Sequence, residues 1–481
     1  MTQRPSVIRS TAWAVAEAAT LAVVSFATLL ATAWLLGPAD FGIAATALTV
    51  VQVLLVMVGA GLVNGPLIQR EDLRQEHIDT VYWAAFGAGC VLVGLCWLGA
   101  GELARRVDQP ELAPVLAVFV LMVLPTAYES VQVALLRRAF GFRQIAIRTF
   151  VSRIAGSVLG VGVALLDGGP WSIVVQHLAT VLVSVAILRA WTHRPIGLRV
   201  SLRALREVMG FSAPAVATEV MSAGGPRLLQ LAGAVLLGPQ AFAFLHIGLR
   251  IVETLREMVT DLSNNLAFPM FSRVQGDRPM LARHFLAATA MLCAVAMPGF
   301  LGIGAFAGLF VPTLVGPAWL EAVPVVQVLA FGAASGFAAA LCFPLLWAVG
   351  RPALGLAPRA AELVVALVLL LALEAGGPAM AAYAWAARQV VEVGFAVLIC
   401  PRVLPLRVGA LPGAVAVPAG LAAGAVLGLL ALRQVALAGL PPVAQLALLG
   451  GAGAVLTVVA AGIVQPALAR AALGRIWPRR G

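Results

Sequence analysis

The chain has 481 residues, 61% of them hydrophobic and 11% charged, with a mean hydropathy of +0.99. A water-soluble protein of this length cannot hide so much apolar surface, which leaves a lipid bilayer as the solvent. All 32 basic residues are arginines against 21 acids, a net charge of +11 carried mostly in short stretches between apolar runs; anionic lipid headgroups, not nucleic acid, are the expected partner.

The first apolar run, 11–36, is too long for a cleaved leader and carries no cleavage pattern, so it is read as span 1. Taking about 20 apolar residues per span, the next five fall near 41–67, 81–103, 112–136, 147–166 and 170–191. A basic linker, 192–207, follows. Eight more spans are predicted near 208–237, 241–268, 285–311, 321–348, 356–375, 379–400, 412–432 and 442–465. Gly37-Pro38, Gly168-Gly169-Pro170, Gly238-Pro239, Gly376-Gly377-Pro378 and Pro441-Pro442 mark turns between them.

Fourteen spans place 24 arginines on one side: at the N-terminus, in alternate loops and in the tail with Arg470, Arg475, Arg479 and Arg480. Only Arg105, Arg106 and Arg433 fall on the other side. The positive-inside rule then makes both termini cytoplasmic, and an odd number of spans would scramble the alternation. Cys90, Cys96, Cys293, Cys342 and Cys400 lie in or beside apolar runs without metal-ligand spacing, so neither a metal nor a disulfide framework is expected. The five histidines are scattered, no catalytic constellation is present, and no cofactor is expected.

Three local matches recur at similar offsets. Leu35-Leu36-Gly37-Pro38 resembles Leu236-Leu237-Gly238-Pro239, 201 residues on; Glu111-Leu112-Ala113-Pro114-Val115 resembles Glu321-Ala322-Val323-Pro324-Val325, 210 on; Gly168-Gly169-Pro170 resembles Gly376-Gly377-Pro378, 208 on. Their shared order predicts two six-helix lobes, 1–200 and 201–411, related by an axis along the membrane normal. Helices 13–14 and a basic cytoplasmic tail, 412–481, are then additions. The expected fold is all-α and integral to the membrane, with lobes of the kind that rock about a central site.

Charge at bilayer depth costs about 2.5–3.5 kcal/mol on insertion scales and needs a cavity or a partner. Span 8 carries the most: His246, Arg250, Glu253, Glu257, Asp261 and Asn264 recur at steps of three and four and form one polar stripe. The stripe is expected to line a hydrated passage between the lobes, unless Arg250 and Arg256 neutralise Glu253 within the helix. Arg227 sits in span 7 with Glu219 upstream. Arg153 in span 5 has Glu129 in span 4 as its simplest partner, Arg388 and Glu392 stand at i, i+4 in span 12, and Glu17 is a lone carboxylate in span 1.

Leu36-Gly37-Pro38 with Asp40-Phe41-Gly42, Leu67-Ile68-Gln69-Arg70, and Glu76-His77 with Asp79-Thr80 and Trp83 resemble the polysaccharide transporter family of Wzx-type oligosaccharide flippases, within the multidrug/oligosaccharidyl-lipid/polysaccharide exporter superfamily. Leu135-Leu136-Arg137-Arg138 with Phe142-Arg143, Trp171 with Gln176, Ser272-Arg273 and Gly350-Arg351-Pro352 extend the resemblance over about 11–400. It implies a flippase that moves polyprenyl-pyrophosphate-linked oligosaccharide across the bacterial inner membrane by alternating access, working beside a polysaccharide polymerase and export machinery. The sequence departs from the family at Ala60, where relatives carry an acid, and at Leu229-Gln230, where relatives often have Asp-Asn.

A pyrophosphate headgroup calls for forked, always-charged donors. The candidate substrate-binding residues are therefore Arg250, Arg227, Arg256, Arg388 and Arg153, with Glu253, Glu257, Asp261, His246, Asn264 and Glu17 as cavity or coupling groups. Two other functions compete. A cation-coupled drug antiporter of the same architecture wants an acidic first half, which here offers only Glu17 and Glu129 in its spans. A membrane polysaccharide polymerase or ligase wants a sizeable outer loop, and the longest candidate, about 101–111, is barely a turn.

Overall fold

The structure, a computed structural model, describes residues 7–64, 67, 72–191, 196–207 and 223–464. Among them it is helical, with no strand. Ten helices are long and apolar enough to cross a membrane. A bilayer demands this architecture, because a helix satisfies its own backbone polar groups where no water can. The chain is a multi-pass membrane protein.

The helices are α1 (Val7–Leu55), α2 (Gln75–Arg106), α3 (Leu112–Arg138), α4 (Phe142–Leu165), α5 (Trp171–Trp191), α6 (Gly225–Arg273), α7 (Arg278–Ala305), α8 (Ala322–Gly336), α9 (Cys342–Ala348), α10 (Leu356–Leu373), α11 (Gly377–Val403), α12 (Ala410–Leu432) and α13 (Pro442–Val464). They divide into two compact units, 1–246 and 247–481. The expected lobe boundary near residue 200 concerns repetition rather than compactness.

Spans 1 and 2 are not separated by a loop. They form the single 49-residue α1, bent at Gly37 with φ 71° and ψ 171°. Likewise α6 joins the described part of span 7 to span 8 through Gly238, with φ 74° and ψ 163°. Only glycine reaches that conformation cheaply, and the following proline removes a helix hydrogen bond, so each Gly-Pro pair bends the rod without ending it.

The other matched positions also share geometry. Glu111 and Glu321 precede α3 and α8 with φ,ψ of −66°,−20° and −67°,−16°. Gly169 and Gly377 both have positive φ. A fourth pair escapes the sequence comparison: Phe140 and Gly350, 210 residues apart, both end a helix at positive φ. The Gly141 N–H donates to Leu136 O at 2.9 Å and the Arg351 N–H to Leu346 O at 2.9 Å, closing the same six-residue turn.

In the first unit, α4 packs closely on α5 because Gly156 and Gly160 clear a path. A β-carbon on Gly156 would lie 2.5 Å from Gln176 O, and one on Gly160 2.6 Å from Gln176 Cβ. Small residues four apart let helix backbones approach where lipid supplies no hydrophobic drive. In the second unit, Leu309 and Phe306 beyond α7 cluster with Leu429, Leu437 and Leu449, seating α12 and α13 as a pair. Outward-facing Leu98, Leu166 and Val435 are more than 80% exposed, as lipid contact requires.

Candidate functional site

The second unit holds a charged network within its spanning helices. On α6, the Arg256 Nε–H donates to Glu253 Oε2 at 2.7 Å, one helical turn away. From α10 come Arg359 and Glu362, and from α11 Arg388 and Glu392. Glu362 and Glu392 each lie within electrostatic reach of Arg256, Arg359 and Arg388, so three helices contribute both signs of charge to one neighbourhood. Phe343 holds Arg359 from one side, with its ring centroid 4.1 Å from the guanidinium carbon.

The network is not fully satisfied by protein. Glu362 is buried, 7% exposed, and its Oε1 has no hydrogen-bond partner among the described residues; neither has Arg388 Nε. Arg388 and Glu392 do not form the i, i+4 ion pair that their spacing suggests. They couple electrostatically without an approach within 4 Å. Glu392 also lies within electrostatic reach of Arg256 on α6 and Arg359 on α10, and Arg388 within reach of Glu362 on α10. An arginine and a carboxylate with spare bonding capacity at membrane depth are costly for stability alone.

The polar stripe of span 8 divides along its length. His246, 8% exposed, packs between the rings of Phe41 and Phe242 at 6.1 and 5.4 Å in the first unit. Arg250 and Glu257 are exposed, and Glu253 and Arg256 are half-buried. The side chains of Asp261, Asn264 and Glu17 lie outside the described residues, as do Glu219 with the rest of 208–222 and the basic tail 465–481. The intrahelical ladder is therefore real for Arg256–Glu253. Arg250 has no ion pair with Glu253; its electrostatic partner is Glu257.

The first unit has a separate polar centre. Arg148 of α4, 9% exposed, donates to Glu129 Oε1 of α3 at 2.5 Å and to Ser184 Oγ of α5 at 3.0 Å. Ser184 in turn donates to Glu129 at 2.7 Å. This corrects the expected Glu129–Arg153 pairing: Arg148, at the start of predicted span 5, meets Glu129, and Arg153, a further five residues along α4, is half-buried. Arg227 donates to Gln52 Oε1 and ties α6 to α1.

Of the five predicted arginines, Arg256 and Arg388 come together. Arg250 stands exposed on α6, while Arg227 and Arg153 belong to the first unit. Arg359, Glu362 and Arg148 were not among the candidates. The spacing Arg359-x-x-Glu362 at the start of an apolar run was the available signal for the first two.

The family described as polysaccharide biosynthesis protein matches residues 31–324, more than half of the chain. The chain belongs to that family. Among its relatives, the succinoglycan biosynthesis transport protein ExoT of Rhizobium meliloti (strain 1021) is 26% identical over 348 residues, covering 72% of this chain and 70% of the relative. The lipopolysaccharide biosynthesis protein WzxC of Escherichia coli (strain K12) is 22% identical over 296 residues, 60% of this chain and 59% of its own. The teichuronic acid biosynthesis protein TuaB of Bacillus subtilis (strain 168) is 22% identical over 268 residues, 55% of each. This member of the family also shares its fold with the lipid II flippase MurJ in an inward closed conformation, with a TM-score of 0.75 at 12% identity over 95% of this chain and 99% of the other. An inward-facing multidrug resistance transporter of the MATE family gives 0.57 at 13% identity over 82% and 96%. Both likenesses are of fold.

Proposed function

We propose that the chain is a flippase that carries polyprenyl-pyrophosphate-linked oligosaccharide repeat units across the bacterial inner membrane for surface polysaccharide synthesis. The observation that carries the reading is the gathering of Arg256, Arg359 and Arg388 from three spanning helices. Guanidiniums stay charged in any environment and fork onto phosphate oxygens, which suits a pyrophosphate that must leave water. The relatives named for succinoglycan and lipopolysaccharide support the glycan class.

Fourteen spans in two repeated lobes, 1–200 and 201–411, with both termini cytoplasmic, complete the proposal. Both sides of the bends at Gly37 and Gly238, the two helices α10 and α11 within 353–403, and the α8–α9 pair support that number. Alternating access by the lobes is the transport mode, and a polysaccharide polymerase is the expected consumer of the product.

In a deletion strain lacking surface polysaccharide, the wild-type chain should restore it. Arg256→Gln with Arg388→Gln should not, at equal protein level in the membrane. Full restoration by that double variant, and by Arg250→Ala with Arg227→Ala, rejects the assignment. The carboxylates Glu253, Glu362 and Glu392 favour a second reading, a cation-coupled antiporter. Sensitivity of the deletion strain to cationic dyes with unaltered polysaccharide would select it.

A further inference from the structure

The stretch Glu76-His77-Ile78-Asp79-Thr80-Val81-Tyr82-Trp83 opens α2, and its polar groups have no place in the transport network. They meet residues 196–207, the described segment that follows α5. The Gly197 N–H donates to Asp79 Oδ1 at 2.9 Å, and the Trp83 indole N–H donates to Gly197 O at 2.9 Å. Thr80 Oγ1 donates to Arg199 O at 3.4 Å and accepts from the Ser201 N–H at 3.2 Å. Backbone groups of alternate residues 197, 199 and 201 are thus fastened along the first turns of α2, and Leu198 and Val200 face outward.

A second fastening lies at the far end. Glu207 Oε2 accepts from Arg74 Nη2 at 3.3 Å and lies 3.4 Å from His77 Nε2, while Glu207 Oε1 accepts from Arg203 Nε at 3.1 Å. His77 is committed on its other side, where Nδ1 accepts the Arg74 N–H at 3.1 Å and caps the helix. Asp79 is 1% exposed and is pre-set by Gln75 Nε2 at 2.8 Å. A β-carbon on Gly197 would lie 2.6 Å from Asp79 Oδ2, so this close approach requires glycine.

We propose that Asp79, with Thr80 and Trp83, is the positioning residue for a strap, 196–207, fastened along the start of α2, and that export requires the strap closed. Transport by rocking bundles needs each bundle to move as one body. A segment fastened along α2 moves with that helix, whereas a loose one would let the chain shift against it. The export arm of this proposal rests on the flippase reading; the strap itself does not.

The chain contains no lysine, so trypsin cuts only after arginine, and Arg199, Arg203 and Arg206 report on the strap. In the purified full chain in detergent, Asp79→Ala should be cut at these three sites about tenfold faster than wild type, the effect of losing one hydrogen bond to a charged group. Gly197→Ala should behave like Asp79→Ala. Asp79→Asn keeps the Oδ1 acceptor and should be cut near the wild-type rate. In the deletion strain, Asp79→Ala should lose export and Asp79→Asn should keep it.

Equal cleavage of wild type and Asp79→Ala overturns the strap. Faster cleavage with wild-type export overturns its role in transport. Where Asp79→Ala does not accumulate, Trp83→Phe, which removes only the indole N–H, decides both points. Failure of the wild-type chain to restore polysaccharide rejects the flippase reading and leaves the cleavage result standing.

Discussion

Gly42 of α1 lies against the backbone carbonyl of Pro239 in α6, and a β-carbon at Gly42 would stand 2.5 Å from the Pro239 carbonyl carbon. The two repeated Leu-Gly-Pro bends therefore meet, one directly on the other, within the first unit. Phe41 and Phe242 flank the same place and enclose His246. The contact depends on a missing side chain on one partner and a backbone carbonyl on the other.

Gly42→Ala should lower the stability of the purified protein by about 1–3 kcal/mol, the usual cost of forcing a methyl into a packed interior. Gly94→Ala on α2 is the matched control, since nothing lies within 4 Å of its β-carbon, and it should leave the melting temperature unchanged. Thermal unfolding of both variants in detergent checks the prediction; equal midpoints would mean that the two bends can part at no cost.

Glu129, Arg148 and Ser184 join three helices of the first unit through bonds of 2.5, 2.7 and 3.0 Å. Removing one charge from such a pair leaves the other stranded in a low-dielectric interior, at about 3–5 kcal/mol. Glu129→Ala and Arg148→Ala should each reduce the folded yield sharply. A Glu129→Leu/Arg148→Met double variant should recover much of it, because both charges leave together. Membrane protein level and melting temperature measure the difference.

The fold was legible where backbone chemistry is written into residue type. Gly37-Pro38 and Gly238-Pro239 announce their bends because glycine and proline leave the chain few alternatives. Phe140 and Gly350 adopt the same turn with unlike residues, and no comparison of letters finds them. The site was legible along single helices and illegible across them. Steps of three and four put Glu253 and Arg256 on one face, but which helices face that pair is set by packing. Arg148 and Arg359 both stand at the start of a predicted span, yet one reaches Glu129 and the other lies within electrostatic reach of Glu362. A long side chain at a helix end can point back toward the membrane, and sequence position alone does not say which way it turns.

Arg359 rests on the face of Phe343, and Gly355 makes room for that ring, since a β-carbon there would overlap it. Lysine can keep the cation–π contact but not the forked donors. Arg359→Lys should therefore cost stability by less than about 1 kcal/mol, while Phe343→Leu should cost about 1–2 kcal/mol with loss of the ring face. If phosphate recognition needs the fork, Arg359→Lys should still reduce export in the complemented deletion strain. Normal export by Arg359→Lys would confine this arginine to a packing role.

Glu362 separates function from stability most sharply. It is 7% exposed, and its Oε1 lacks a partner among the described residues, while Arg256, Arg359 and Arg388 lie within electrostatic reach. A carboxylate kept only for packing would be expected to have both oxygens bonded, since each unsatisfied buried group costs about 1–3 kcal/mol. Glu362→Gln removes the charge and keeps the shape, so the melting temperature should stay level or rise. On the proposed flippase reading, export should fall about tenfold, the scale of a typical coupling energy, because arginines that bind the substrate would then hold it without a competing carboxylate and release it slowly. Measuring both in one variant is decisive. A fall in stability with unchanged export would make Glu362 a structural counter-ion, and the release step would have to lie with Glu253 or Glu392.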